Sequence, residues 1–210
     1  MMKVKICGIT SLQDALLAAK LGFDAVGFIF AKSPRKIPVE EARDIIQALP
    51  PFIKSVGVFV NEEVSAIKEI VRFCGLDLIQ LHGDESPSLC DALMPRSIKA
   101  FQVRNQSSLQ TMGKYRGKVR ALLLDAYAEA QRGGTGRTFD WDLADKAKGL
   151  GVPIILSGGL GPSNIKGAVS AVRPYAVDVN SGVEETPGKK DPLLMEELMS
   201  IVKSIAHGDL

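Results

Sequence analysis

Short apolar runs rich in β-branched residues recur along this chain, and behind each lies a stretch whose apolar residues come at helical spacing. Val4-Lys5-Ile6-Cys7 is followed by Leu12, Ala15, Leu16 and Ala19, which share one helix face, and Gly22 then closes the segment. The alternation returns at Ala25 to Phe30 before Val39 to Leu49, at Ser55 to Val60 before Val64 to Phe73, and at Leu76 to Leu81 before Pro87 to Leu93. The second half continues with Ser97 to Phe101, Ala121 to Asp125, Pro153 to Leu156 and Ala176 to Val179, each with a helical segment behind it. That makes about eight strand–helix units at a spacing of roughly 25 residues. Runs apolar on both faces are those of parallel strands walled off by crossover helices.

Two folds fit this pattern, an open doubly wound sheet and a closed (β/α)₈ barrel. The turn after the first strand reads Cys7-Gly8-Ile9-Thr10, which is not the dinucleotide fingerprint of the open sheet. Eight units with no break in composition favour closure. The expectation is one (β/α)₈ barrel domain over residues 1–210, short beside the roughly 250 residues typical of the fold. Its ligand site would then lie where the C-terminal strand ends meet the βα loops.

Composition narrows the chemistry. The 26 lysines and arginines stand against 24 aspartates and glutamates, a formal net charge of +2 with no long run of either sign, so no footprint for nucleic acid or an anionic membrane is present. No stretch approaches the roughly 20 apolar residues of a membrane span. Cys7, Cys74 and Cys90 are an odd, sparse set without metal-binding spacing, which fits a reducing, cytoplasmic setting better than a disulfide scaffold.

Several strand-end residues are candidates for function. Cys7 ends the first strand; a base there needs a thiolate, hence nearby positive charge, whereas a small buried hydrophobe is the plainer alternative. Asp125 ends the sixth strand, a carboxylate beyond four apolar residues that serves either the site or merely the turn as a loop cap. The loop of about a dozen residues behind it, containing Gly133-Gly134-Thr135-Gly136, is where a chain of this length would invest in a binding loop. Gly158-Gly159 after the seventh strand and Asn180-Ser181-Gly182 after the eighth occupy the pair of loops where many barrels hold a phosphate. Arg35 lies in the basic loop after the second strand, where a guanidinium either takes a carboxylate bidentately or, as position alone favours, is a solvated surface charge. His82 follows the fourth strand, either to bond a ligand or to cap the next helix.

In order and spacing these segments resemble the phosphoribosylanthranilate isomerase family, nearly end to end. The motifs are Lys5-Ile6-Cys7-Gly8-Ile9-Thr10, Gly27-Phe28-Ile29-Phe30 with Ser33-Pro34-Arg35, Val58-Phe59-Val60-Asn61, Gln80-Leu81-His82-Gly83, Leu124-Asp125 with Gly133-Gly134-Thr135-Gly136 and Phe139-Asp140-Trp141, Ser157-Gly158-Gly159-Leu160, and Val177-Asp178-Val179-Asn180-Ser181-Gly182-Val183-Glu184. The resemblance implies an Amadori rearrangement in tryptophan biosynthesis, without cofactor or metal, with Cys7 as general base and Asp125 as general acid. It further implies that Arg35 holds the anthranilate carboxylate, that the loops at Gly158-Gly159 and Ser181-Gly182 hold the phosphate, and that Gly134-Thr135-Gly136 covers the substrate. Asn180 stands where the family commonly has serine, and Asp178 matches the family motif, either to orient the active-site thiol or to anchor the loop.

Other phosphate-binding barrels share parts of this pattern. An indole-glycerol-phosphate synthase calls for strand-end lysine and glutamate, and a histidine-pathway isomerase for a second aspartate at position 7, so Cys7 discriminates. A non-catalytic barrel sensing a phosphorylated metabolite would keep the glycine loops with no reason to keep an acid and a thiol. The chain is compatible with a monomer or a homodimer.

Overall fold

A computed structural model describes residues 2–103, 106–125 and 141–207. The eight apolar runs form strands β1 (Lys3–Ile6), β2 (Ala25–Ile29), β3 (Lys54–Phe59), β4 (Leu78–Leu81), β5 (Ser97–Gln102), β6 (Ala121–Asp125), β7 (Ile154–Ser157) and β8 (Ala176–Val179). They pair in parallel in sequence order, and β8 returns to β1 to close a barrel. The intervening helices are α1 (Leu12–Leu21), α2 (Val39–Ala48), α3 (Val64–Cys74), α4 (Pro87–Asp91), α5 (Ser107–Gly113), α6 (Trp141–Ala147) and α7 (Ile165–Val172), with α8 (Pro192–His207) last.

The two-residue period of a strand sorts the side chains into two cores. Ile98, Ala100, Ala121, Leu123, Ile155 and Ala176 pack with Leu78 inside the barrel. Their neighbours Leu122, Leu124, Ile154, Leu156 and Val177 face outward into the larger core beneath the helices. Each large aliphatic side chain so buried is worth about 1.5–3 kcal/mol. The interior layer uses alanines among its larger members, as a narrow barrel requires.

At the N-terminal face one device occurs twice. Asp24 accepts from the Val4 N–H at 2.9 Å and pairs with Lys3 at 2.7 Å. Asp77 does the same with the Ser55 N–H at 2.9 Å and Lys54 at 2.7 Å. Asp77 therefore belongs to a corner, and β4 starts at Leu78 rather than at Leu76 as the apolar run suggests. A second departure is a small antiparallel hairpin, β9 (Glu184–Thr186) with β10 (Lys189–Lys190), between β8 and α8. Among the described residues no helix is long and apolar enough to cross a membrane.

Candidate active site

The strand period places Lys5 and Cys7, Gln80 and His82, and Asp178 and Asn180 two residues apart, so each pair shares one face of its strand, and Asp125 closes β6 at the same end of the barrel. Cys7 follows β1 directly and is buried; its N–H donates to the Val179 carbonyl at 2.8 Å, which fixes it against β8. Burial pushes its thiol above the ordinary range, and the nearby Lys5 and Lys190 ammonium groups pull the other way. The positive charge that a thiolate needs is therefore present, although burial outweighs it.

His82 joins Asp125 across the mouth, with Nε2 3.4 Å from Asp125 Oδ2. The Gln80 amide nitrogen lies 3.0 Å from His82 Nδ1. With that nitrogen as donor, Nδ1 is the acceptor and Nε2 is the ring nitrogen that faces Asp125. The capping alternative for His82 is not realised: Ser86 caps α4, its hydroxyl accepting from the Leu89 N–H.

Arg35 grips a carboxylate bidentately, and that carboxylate is the protein's own. Its Nε lies 2.8 Å from Glu184 Oε1 and its Nη2 2.6 Å from Oε2. Lys190, wholly buried, bonds Glu184 Oε1 at 2.9 Å and Asn180 Oδ1 at 3.0 Å. Burial pushes the Glu184 carboxyl up, but Arg35, Lys190 and the Gly188 N–H outweigh it and hold it below the usual carboxylate range. Asn180 thus turns its side-chain oxygen to Lys190, within a clamp joining the loop after β2, the loop after β8 and the hairpin.

The two glycine loops meet backbone to backbone. A Cβ on Gly182 would fall within overlap distance of the Leu160 carbonyl oxygen, and one on Gly161 would lie 2.7 Å from that of Gly182. Only glycine allows this approach. Gly159 has open space where a side chain would stand, and Ser181 and Gly182 lie in a short 3₁₀ turn. Asp178 lies buried below them, 2.8 Å from Lys5 Nζ. Gly134, Thr135 and Gly136 lie outside the described residues.

Sequence reasoning had not singled out Lys5, Gln80, Glu184 or Lys190. The signal for the first two is the two-residue spacing from Cys7 and His82, a polar residue inside an apolar run. Glu184 and Lys190 come together only through the hairpin.

A closed barrel of eight parallel strands, with a thiol, an imidazole–carboxylate pair and glycine loops at the C-terminal strand ends, defines a (β/α)₈-barrel enzyme. The profile of the family described as N-(5'phosphoribosyl)anthranilate (PRA) isomerase matches residues 4–200. The chain belongs to that family. It is 54% identical to the N-(5'-phosphoribosyl)anthranilate isomerase of Citrifermentans bemidjiense over 98% of this chain and 99% of the relative. The crystal structure of the phosphoribosyl anthranilate isomerase of Thermotoga maritima matches with a TM-score of 0.89 at 44% identity, covering 97% of this chain and all of that one. A phosphoribosyl anthranilate isomerase in complex with reduced 1-(o-carboxyphenylamino)-1-deoxyribulose 5-phosphate matches with a TM-score of 0.87 at 43% identity, again over 97% of this chain and all of that one.

Proposed function

We propose that this chain, as one barrel domain, converts N-(5'-phosphoribosyl)anthranilate into 1-(2-carboxyphenylamino)-1-deoxyribulose 5-phosphate, with Asp125 as general acid and Cys7 as general base. The observation that carries the reading is the placement of a thiol and an imidazole-backed carboxylate at the same, C-terminal end of one closed barrel. Asp125 protonates the ribose ring oxygen, and the ring opens to the imine. The Cys7 thiolate removes the proton from the second sugar carbon, giving an enolamine that tautomerises to the ketone. His82 holds Asp125 in place through Nε2. Glu184 occupies the Nε–Nη2 edge of Arg35 and leaves the other guanidinium edge for the anthranilate carboxylate. The backbone at Gly158, Gly159, Ser181 and Gly182 receives the phosphate, with open space at Gly159 where a side chain would stand. All three cysteines are buried and unpaired, which supports a reducing, cytoplasmic setting.

The direct test adds pure protein to phosphoribosylanthranilate and follows the fluorescence of the substrate. Its decay at a rate proportional to protein is the expected result. Tight binding of a reduced product analogue without any decay would replace the isomerase with a sensor.

A further inference from the structure

Lys5, with its partner Asp178, is a buried charged residue inside the barrel that the acid–base scheme leaves unused. It precedes Cys7 by two residues, so both side chains enter the barrel interior from β1. Its ammonium lies 2.8 Å from Asp178 Oδ1, with side-chain exposures of 6% and 4%. On the neighbouring strand β2, a Cβ on Gly27 would stand 2.9 Å from Cys7 Sγ and 3.0 Å from Lys5 Nζ. Thiol and ammonium therefore converge on the one space that this glycine leaves open, a space any side chain at position 27 would take from them.

We propose that Lys5, anchored by Asp178, is the positioning residue that holds the Cys7 thiolate ready for proton abstraction. The assignment rests on the reading of Cys7 as the base. A positive charge beside a sulfur favours its ionised form, and more so away from solvent. Burial pulls Lys5 below its usual range; Asp178 and Cys7 together outweigh it and hold the lysine above that range, which favours the ammonium. The charged groups facing Cys7 are Lys5 from β1, Asp178 from β8, Lys190 from β10 and Arg35 from the loop after β2. Of these, Lys5 opposes the effect of burial most strongly. In the reaction the substrate's carbon-bound proton passes to Sγ, its electron pair enters the enolamine, and the ammonium keeps its own protons.

The test measures carbamidomethylation of Cys7 by iodoacetamide on the unliganded protein as a function of pH, by mass spectrometry of its peptide, with the Cys74 and Cys90 peptides as references. Lys5→Met is expected to slow Cys7 modification about tenfold or more at a fixed pH and to move its titration upward by about a unit or more. Lys5→Arg restores most of the rate. Should Lys5→Met fail to fold, because it leaves Asp178 buried alone, Lys5→Met/Asp178→Asn removes both charges and is expected to shift the titration in the same direction by less. A Cys7 titration unchanged in these variants overturns the proposal. The alkylation needs no substrate, so a wild-type protein without isomerase activity overturns the functional reading, while the titration alone decides the role of Lys5.

Discussion

Two buried lysine–carboxylate pairs stand within a few strands of each other, and they are built for opposite ends. On the outside of the sheet, Lys99 of β5 lies 3.1 Å from Glu85, with side-chain exposures of 3% and 0%. Every direction there is filled. Lys99 Nζ donates to the carbonyls of Gly83 at 2.6 Å and Ala100 at 2.9 Å, while Glu85 accepts from the Asn61 N–H at 2.9 Å and the Gly83 N–H at 3.0 Å. Tyr115 completes the knot by donating to the Glu85 carbonyl at 2.8 Å. On the inside, Lys5 has Asp178 as its single carboxylate partner among the described residues and lies beside the Cys7 sulfur. The lesson is that burial of a charge does not by itself mark a site. A pair saturated with backbone partners fixes a loop, and a pair with capacity to spare works on its neighbour.

That contrast can be broken by substitution. The largest effect belongs to the inside. Cys7→Ala or Asp125→Asn is expected to lower turnover by about 10²–10⁴-fold, with little change in the urea midpoint. Near-normal turnover in steady-state assays would remove these groups from the chemistry. On the outside the order reverses. Lys99→Met leaves Glu85 buried without its cation and is expected to cost about 3–5 kcal/mol of folding free energy, read from urea unfolding, while the protein that remains folded keeps its substrate affinity within a few fold. A loss under about 1 kcal/mol would place Lys99 among the dispensable pairs.

The smallest effect concerns the Glu184 clamp, intermediate between the two. Glu184→Gln loosens Arg35 and is expected to raise KM about tenfold, some 1.4 kcal/mol of binding, with a lesser change in kcat. Because the Glu184 carboxyl is held below its usual range, its contribution to stability is complete above the unfolded-chain value of about 4.3 and is lost as pH falls through the lower folded value. The stability gap between wild type and Glu184→Gln should therefore be level near neutrality and close only in acid. A gap that closes nearer pH 6 would show that the clamp is not held by this carboxylate.

The barrel was legible because parallel strands buried on both faces read as unbroken apolar runs, and eight of them allowed few arrangements. Cys7, His82, Asp125 and the glycine loops were legible because a barrel confines chemistry to strand ends. Glu184 and Lys190 were not, since strands of three and two residues carry no periodicity and their partners are distant in sequence. Lys5 stood in plain view inside Val4-Lys5-Ile6-Cys7. The two-residue period already put it on the face of the candidate base, but its pairing with Asp178 depends on closure of the sheet. Position alone also left open which force prevails at Cys7, because burial and the surrounding cations act in opposite directions.

The Lys5–Asp178 pair joins residues 173 positions apart, on the first and last strands of the barrel. It has a consequence in time as well as in space. Contacts so distant along the chain form only after nearer ones have organised the ends, and β8 leaves the ribosome after the other seven barrel strands. Until it arrives, Lys5 lacks its counter-charge and Cys7 lacks the Val179 carbonyl that fixes it. The Cys7 thiol is thus left unset until β8 docks, so the closure of the barrel and the readiness of the site are one event.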